Sequence, residues 1–70
     1  KKEVDLLIVQ DGAIHPVEIK KTASPGKKDI KNFPVLEKLN MPVADGGVIC
    51  LAEEALPLAQ GVWTIPVSML

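Results

Sequence analysis

The chain is poor in the residues that carry the commonest stapling and cofactor chemistry. It holds one cysteine, Cys50, so no internal disulfide supports the fold. Cys50 lies inside an apolar run and reads as a small core residue rather than a nucleophile. Histidine is also single: His15 has no Cys or His beside it and makes a poor zinc ligand. Aromatic residues are only 3% of the chain, and none interleaves the lysines, which argues against a stacking platform for single-stranded nucleic acid. No charge of one sign dominates. The net charge of −1 gives no overall attraction to nucleic acid or to acidic membranes. The longest wholly apolar run, Val48 to Ala52, is far shorter than the roughly 18 residues a membrane helix needs. A G-x-x-x-x-G-K-[ST] loop is missing as well, so these residues cannot hydrolyse ATP by that route.

What remains is the composition of a folded piece: 70 residues, 47% hydrophobic and 24% charged, with a mean hydropathy of +0.22. A chain this short buries only about 60% of its unfolded surface. Lys1-Lys2 lead almost directly onto a strand, and no Met precedes them. The expectation is a single partial domain over residues 1–70, excised from the C-terminal part of a larger protein.

The most informative stretch is Glu3 to Thr22. Two β-branched, alternating runs, EVDLLIVQ and AIHPVEIKKT, flank Asp11-Gly12, a strong signal for a tight hairpin turn. If Asp11 and Gly12 are the turn, Gln10 faces Ala13, and every pair keeps the same index sum. Asp5 then lies opposite Glu18, and Glu3 opposite Lys20. Alternation puts Glu3, Asp5, Leu7, Val9, Ile14, Pro16, Glu18 and Lys20 on one face. Val4, Leu6, Ile8, Val17 and Ile19 fill the other and are the expected core.

Two carboxylates directly across a ladder repel each other, so something should compensate. A neighbouring cation such as Lys20, a raised carboxylate pKa, or a bound divalent metal would each serve. The alternative is a solvated hairpin end in which the acids are only weakly coupled.

The spacing Asp5, then Glu18-x-Lys20, resembles the PD-(D/E)XK nuclease-like motif, with Val4-Asp5 standing where Pro-Asp is usual. The likeness extends through EVDLLI, PVEIKKT, KKDIKNFPVLEKL, GGVICLA and VWTIPVSML. Together these are similar to the C-terminal domain of unknown function in a large family of prokaryotic AAA-type ATPases. The resemblance implies that Asp5 and Glu18 hold Mg²⁺, that Lys20 attends the attacking water, and that the chemistry is phosphodiester hydrolysis. It also implies an upstream ATPase domain as partner, with ATP bound there, and a cytoplasmic location. Many members of the superfamily keep the fold without cleaving, which makes a non-catalytic interaction or sensor module the alternative function.

Downstream, Lys20, Lys21, Lys27, Lys28 and Lys31 fall close together, either as a phosphate-contacting rim for a nucleic acid or as a solvated loop and helix start. Ser24-Pro25 looks like a helix N-cap and first residue. Ile30, Phe33, Leu36 and Leu39 form a helical apolar stripe, which Pro34 should kink or restart after Asn32, ending near Asn40. Val48 to Ala52 reads as a strand buried on both faces, returned beside the hairpin by a crossover. Ala55 to Gly61 reads as a loop. Val62 to Val67 reads as a last strand that Pro66 confines to an edge or a strand end, and Trp63 as core or interface.

These elements give an α/β fold, a truncated nuclease-like core in the order β-β-α-β-β, with a mixed sheet and one helix on a face. Such a fragment should leave a strand edge exposed, inviting a homodimer. No membrane partner is expected.

Overall fold

The computed structural model describes residues 4–70. Five strands form one sheet: β1 (Leu6–Gln10), β2 (Ala13–Ile19), β3 (Gly46–Cys50), β4 (Pro57–Ala59) and β5 (Val62–Pro66), in the spatial order β1-β2-β3-β5-β4. β1 and β2 are antiparallel, β2-β3 and β3-β5 are parallel, and β4-β5 is antiparallel. The result is a small α/β domain with a mixed sheet.

The hairpin is the expected one. Asp11 and Gly12 both take positive φ, 54° and 77°, the geometry of a two-residue turn whose twist matches that of the strands. The register runs from Leu6↔Val17 to Gln10↔Ala13, the predicted index sum. β1 begins at Leu6, however, and Glu3 with its expected Lys20 partner lies outside the described residues.

The order β-β-α-β-β needs two corrections. Residues 55–61 are not simply a loop, because Pro57–Ala59 pairs with β5 across a two-residue connection whose Gly61 has φ 75°. That added strand takes the outer position, so β5 is internal. Pro66 is tolerated because it is the last residue of its strand.

The helical segment is a pair of 3₁₀ helices, Lys27–Ile30 and Phe33–Lys38, and a third short one covers Val67–Met69. The expected Ser24-Pro25 start is not used. Gly26 precedes the first helix, and its N–H donates to Asp29 Oδ2 at 2.9 Å. The break falls where Pro34 predicts it, with Asn32 at the cap position of the second helix, which ends at Lys38. Closely spaced interruptions leave each piece too short to settle into a regular α-helix.

The larger correction concerns which face is the core. Ile30 and Phe33 pack with Val48 and Cys50, and paired residues share a face, so the row Glu18, Val48, Thr64 lies under the helices. Ile14 and Pro16 are buried on that same side. The expected core residues Leu6, Ile8 and Ile19 are instead 44%, 45% and 55% exposed. Val17 is buried, and Val4, just before a bend at Asp5, packs against the helix-side cluster. The face a crossover covers is set by its handedness. Alternation along β1 could not decide it, since Leu6, Leu7, Ile8 and Val9 are apolar on both sides.

β3 passes close to β2. A β-carbon on Gly46 would stand 2.6 Å from the Pro16 carbonyl oxygen, so this strand glycine lets two backbones approach.

Candidate functional site

Asp5, Glu18 and Lys20 meet at the open end of the hairpin. Asp5 precedes β1 at a bend, Glu18 is the sixth residue of β2, and Lys20 follows the end of that strand. The carboxylates are engaged by the backbone. Ile19 N–H donates to Asp5 Oδ2 at 2.9 Å, and Asp5 N–H donates to Glu18 Oε1 at 3.2 Å. Lys20 Nζ stands 3.8 Å from Glu18 Oε2. Asp5 thus replaces a strand backbone as the acceptor for Ile19, and Glu18 replaces one for Asp5, so the two side chains finish the β1-β2 ladder where the chain bends away.

This arrangement provides one of the anticipated compensations, the Lys20 cation, and adds another, the paired N–H donors. Glu18 needs them most. Its side chain is only 13% exposed, and a carboxylate taken that far from water requires hydrogen bonds or a counter-charge. The Lys20–Glu18 distance is that of a long ion pair, and the Lys20 side chain is 41% exposed, which makes it a modest term. Lys20 is also anchored through its main chain, whose N–H donates to Ile49 O at 2.9 Å.

The donor set bears on the metal that the nuclease resemblance implies. Asp5 and Glu18 offer hard carboxylate oxygens, the kind Mg²⁺ takes while retaining several waters. One oxygen of each already accepts an N–H. Among the described residues, no group of three or more His, Cys, Asp or Glu side chains is close enough to hold a metal ion.

Beside this end of the sheet, a shallow groove of about 190 Å³ is lined by Ile19, Lys20, Lys21, Ile49, Leu51 and Val67, among others. Lys21, Lys27, Lys28 and Lys31 are exposed along the segment that follows. A second groove of about 340 Å³ includes Pro16, Phe33, Glu37, Asp45, Gln60 and Val62 in its lining, away from the acid pair. His15 lies near it in sequence and bonds through Nδ1 to Asp45 O at 2.7 Å, a strand-to-loop tie.

One polar residue escaped the sequence reading. Thr64, buried in β5, accepts Leu56 N–H at 2.7 Å and donates to Glu54 O at 2.8 Å through the same hydroxyl. The signal was a lone hydroxyl in the apolar run VWTIP, since a buried hydroxyl must find partners. It fixes the Glu54–Leu56 segment against the sheet. No helix among the described residues is long and apolar enough to cross a membrane.

No curated protein and no solved structure matches the chain. A family model does match it, over residues 1–70, and the chain belongs to that family, described as Domain of unknown function (DUF4143).

Proposed function

We propose that this is the nuclease-like C-terminal domain of a prokaryotic AAA-type ATPase and that it works as a non-catalytic interaction or sensor module. The observation that carries this reading is the use of both acids in closing the hairpin: Asp5 accepts Ile19 N–H, and Glu18 accepts Asp5 N–H. Carboxylates committed to the backbone need no metal to justify their opposition across the ladder. The reading is also favoured by a sheet face that leaves Leu6, Ile8, Ile19 and Trp63 exposed, the sort of apolar surface that proteins use to meet other proteins. ATP hydrolysis in such a protein belongs to the upstream domain.

A second reading is metal-dependent phosphodiester hydrolysis, favoured by the convergence of Asp5, Glu18 and Lys20 next to the exposed lysines. Asp5 and Glu18 would hold Mg²⁺, which supplies charge stabilisation at phosphate and a more acidic water. Lys20 would steady the water and the negative charge, and the neighbouring lysines would meet the nucleic acid backbone.

The two readings separate in one experiment: calorimetric titration of Mn²⁺ into the full-length protein and its Asp5→Asn variant, with plasmid nicking measured on the same samples. The module reading expects no saturable binding assignable to Asp5 and no metal-dependent nicking. Saturable binding and nicking that both disappear in Asp5→Asn would replace it with the nuclease reading.

A further inference from the structure

The chain holds four aspartates, and glycine follows two of them, Asp11 and Asp45. Glycine at the next position carries no side chain to crowd its own nitrogen, so that nitrogen can reach the carboxyl carbon of the aspartate before it. The residues after Asp5 and Asp29 are Leu6 and Ile30, whose branched side chains hinder the same approach. The two Asp-Gly pairs therefore share a chemistry, and the fold treats them in opposite ways.

The peptide joining Asp45 to Gly46 is tied at both of its polar atoms. Asp45 O accepts from His15 Nδ1 at 2.7 Å, and Gly46 N–H donates to Gly61 O at 2.8 Å. Gly46 is also the first residue of β3, and its backbone sits against Pro16 of β2. Asp11 and Gly12 are exposed at the tip of the hairpin, where a β-carbon on Gly12 would meet nothing within 4 Å. In a two-residue turn the cross-strand bonds belong to the flanking pair, here Gln10 and Ala13, which leaves the Asp11–Gly12 peptide untied among the described residues. Asp11 moreover holds a φ of 54°, a region that residues with a side chain populate sparsely. Because β2, β3 and β5 run parallel, this tip lies at the end of the sheet opposite both Val4 and Leu70.

We propose that Asp11 is a modification site, at which the chain isomerises spontaneously to isoaspartate while Asp45 stays intact. The Gly12 nitrogen attacks the carboxyl carbon of Asp11, and its proton leaves with a carboxyl hydroxyl as water, closing a five-membered imide. Water then adds to one of the two ring carbonyls. Addition at the side-chain carbonyl restores aspartate. Addition at the main-chain carbonyl breaks its bond to the Gly12 nitrogen, and the chain then runs through the former side chain. One water leaves and one returns, with no change of mass and no oxidation. Ring closure requires the Asp-Gly peptide to turn about the bond between the aspartate Cα and its carbonyl carbon. At Asp11 that turning disturbs only a two-residue tip, the kind of segment that opens locally at little cost. At Asp45 it would break both ties and lift the start of β3 from its neighbours. The product adds a methylene to the backbone of a turn whose length sets the hairpin register, the same register that brings Asp5 to Glu18. It also bears a free α-carboxylate, the group that isoaspartate-directed carboxyl methyltransferases esterify from S-adenosylmethionine.

This inference stands apart from both functional readings and is tested without them. The full-length protein is aged in warm neutral buffer and cleaved, and the peptides holding Asp11 and Asp45 are separated, since an isoaspartyl peptide keeps its mass and changes its retention. Methyl acceptance from labelled S-adenosylmethionine, catalysed by a purified isoaspartate carboxyl methyltransferase, identifies the product. Isoaspartate at position 11 should exceed that at position 45 at least fivefold. Ageing in urea releases the ties on the Asp45–Gly46 peptide, and the ratio should fall to near one. Asp11→Asn keeps the turn, which Asn-Gly suits, and expels ammonia in place of water. It should close the same ring faster and gain mass as the ring reopens to an acid. Asp11→Gly, which also suits the turn, should lose methyl acceptance in that peptide and leave the circular dichroism unchanged. Absence of isoaspartate at position 11, equal amounts at the two positions in the native protein, or a preference for Asp11 that persists undiminished in urea would overturn the proposal.

Discussion

The two faces of the sheet are written in nearly the same alphabet and do opposite things. On one, Val48 and Cys50 are at most 2% exposed beneath Ile30 and Phe33, and Ile14 is 2% exposed on the same side. On the other, Leu6, Ile8, Ile19 and Trp63 are 44–55% exposed. Residue type does not distinguish them, since both are largely aliphatic. The difference comes from the segment between β2 and β3, which covers one side only. Hydrophobic residues stabilise in proportion to the apolar area they remove from water. The covered face therefore contributes most to holding these residues together, and the open face contributes less.

The sharpest way to break that contrast is at Phe33, the largest side chain of the covering layer and 7% exposed. Phe33→Ala should cost about 3–5 kcal/mol through lost transfer energy and a cavity. In a domain of this size each kcal/mol moves the midpoint by about 4–8 °C, so thermal melting should drop by more than about 12 °C. A drop of only a few degrees would mean that the 3₁₀ layer is not the principal cover of the sheet.

Sequence reasoning found the contacts that are short-range and missed those that depend on where the chain goes next. Asp11-Gly12 dictates its own turn, and the turn dictates the register, so the meeting of Asp5 with Glu18 one step beyond the ladder was legible from residue order alone. Pro34 announced the helix break for an equally local reason. The covered face was not legible, because β1 is apolar on both sides and the decision belongs to a crossover that must choose a side. Strand β4 was hidden by Pro57, a residue that argues against strands except at their first position, which is where it sits. The engagement of the acids with backbone N–H groups depends on the bend at Asp5. No alternation pattern encodes that bend, and a sequence reading left the compensation for their repulsion open.

An intermediate effect is expected at that bend. Asp5→Ala removes the acceptor of Ile19 N–H. The bond is solvent-exposed, so its loss should cost about 1 kcal/mol. Asp5→Asn retains a carbonyl oxygen that can accept the same N–H, and should recover most of that loss. A metal ligand would behave differently: both variants would abolish metal-dependent stabilisation alike. Denaturant unfolding of the two variants with and without Mn²⁺ therefore assigns the carboxylate to the ladder or to an ion. Equal stability of Asp5→Ala and the parent would remove it from the ladder.

The smallest effect is expected on the open face, and its smallness is the informative part. Ile19 is 55% exposed, and Thr in its place keeps the β-branched shape a strand favours. Ile19→Thr should change unfolding free energy by no more than about 0.5 kcal/mol, the range for surface substitutions that break no specific feature. Measured dilute, as a monomer, this tests the open face free of any partner. A loss above about 1.5 kcal/mol would be a core-like response, and the face would have to be covered by part of the same protein. A near-zero value beside the large loss at Phe33 would show that fold stability comes from one side of the sheet and leave the apolar residues of the other side to account for themselves by what they bind.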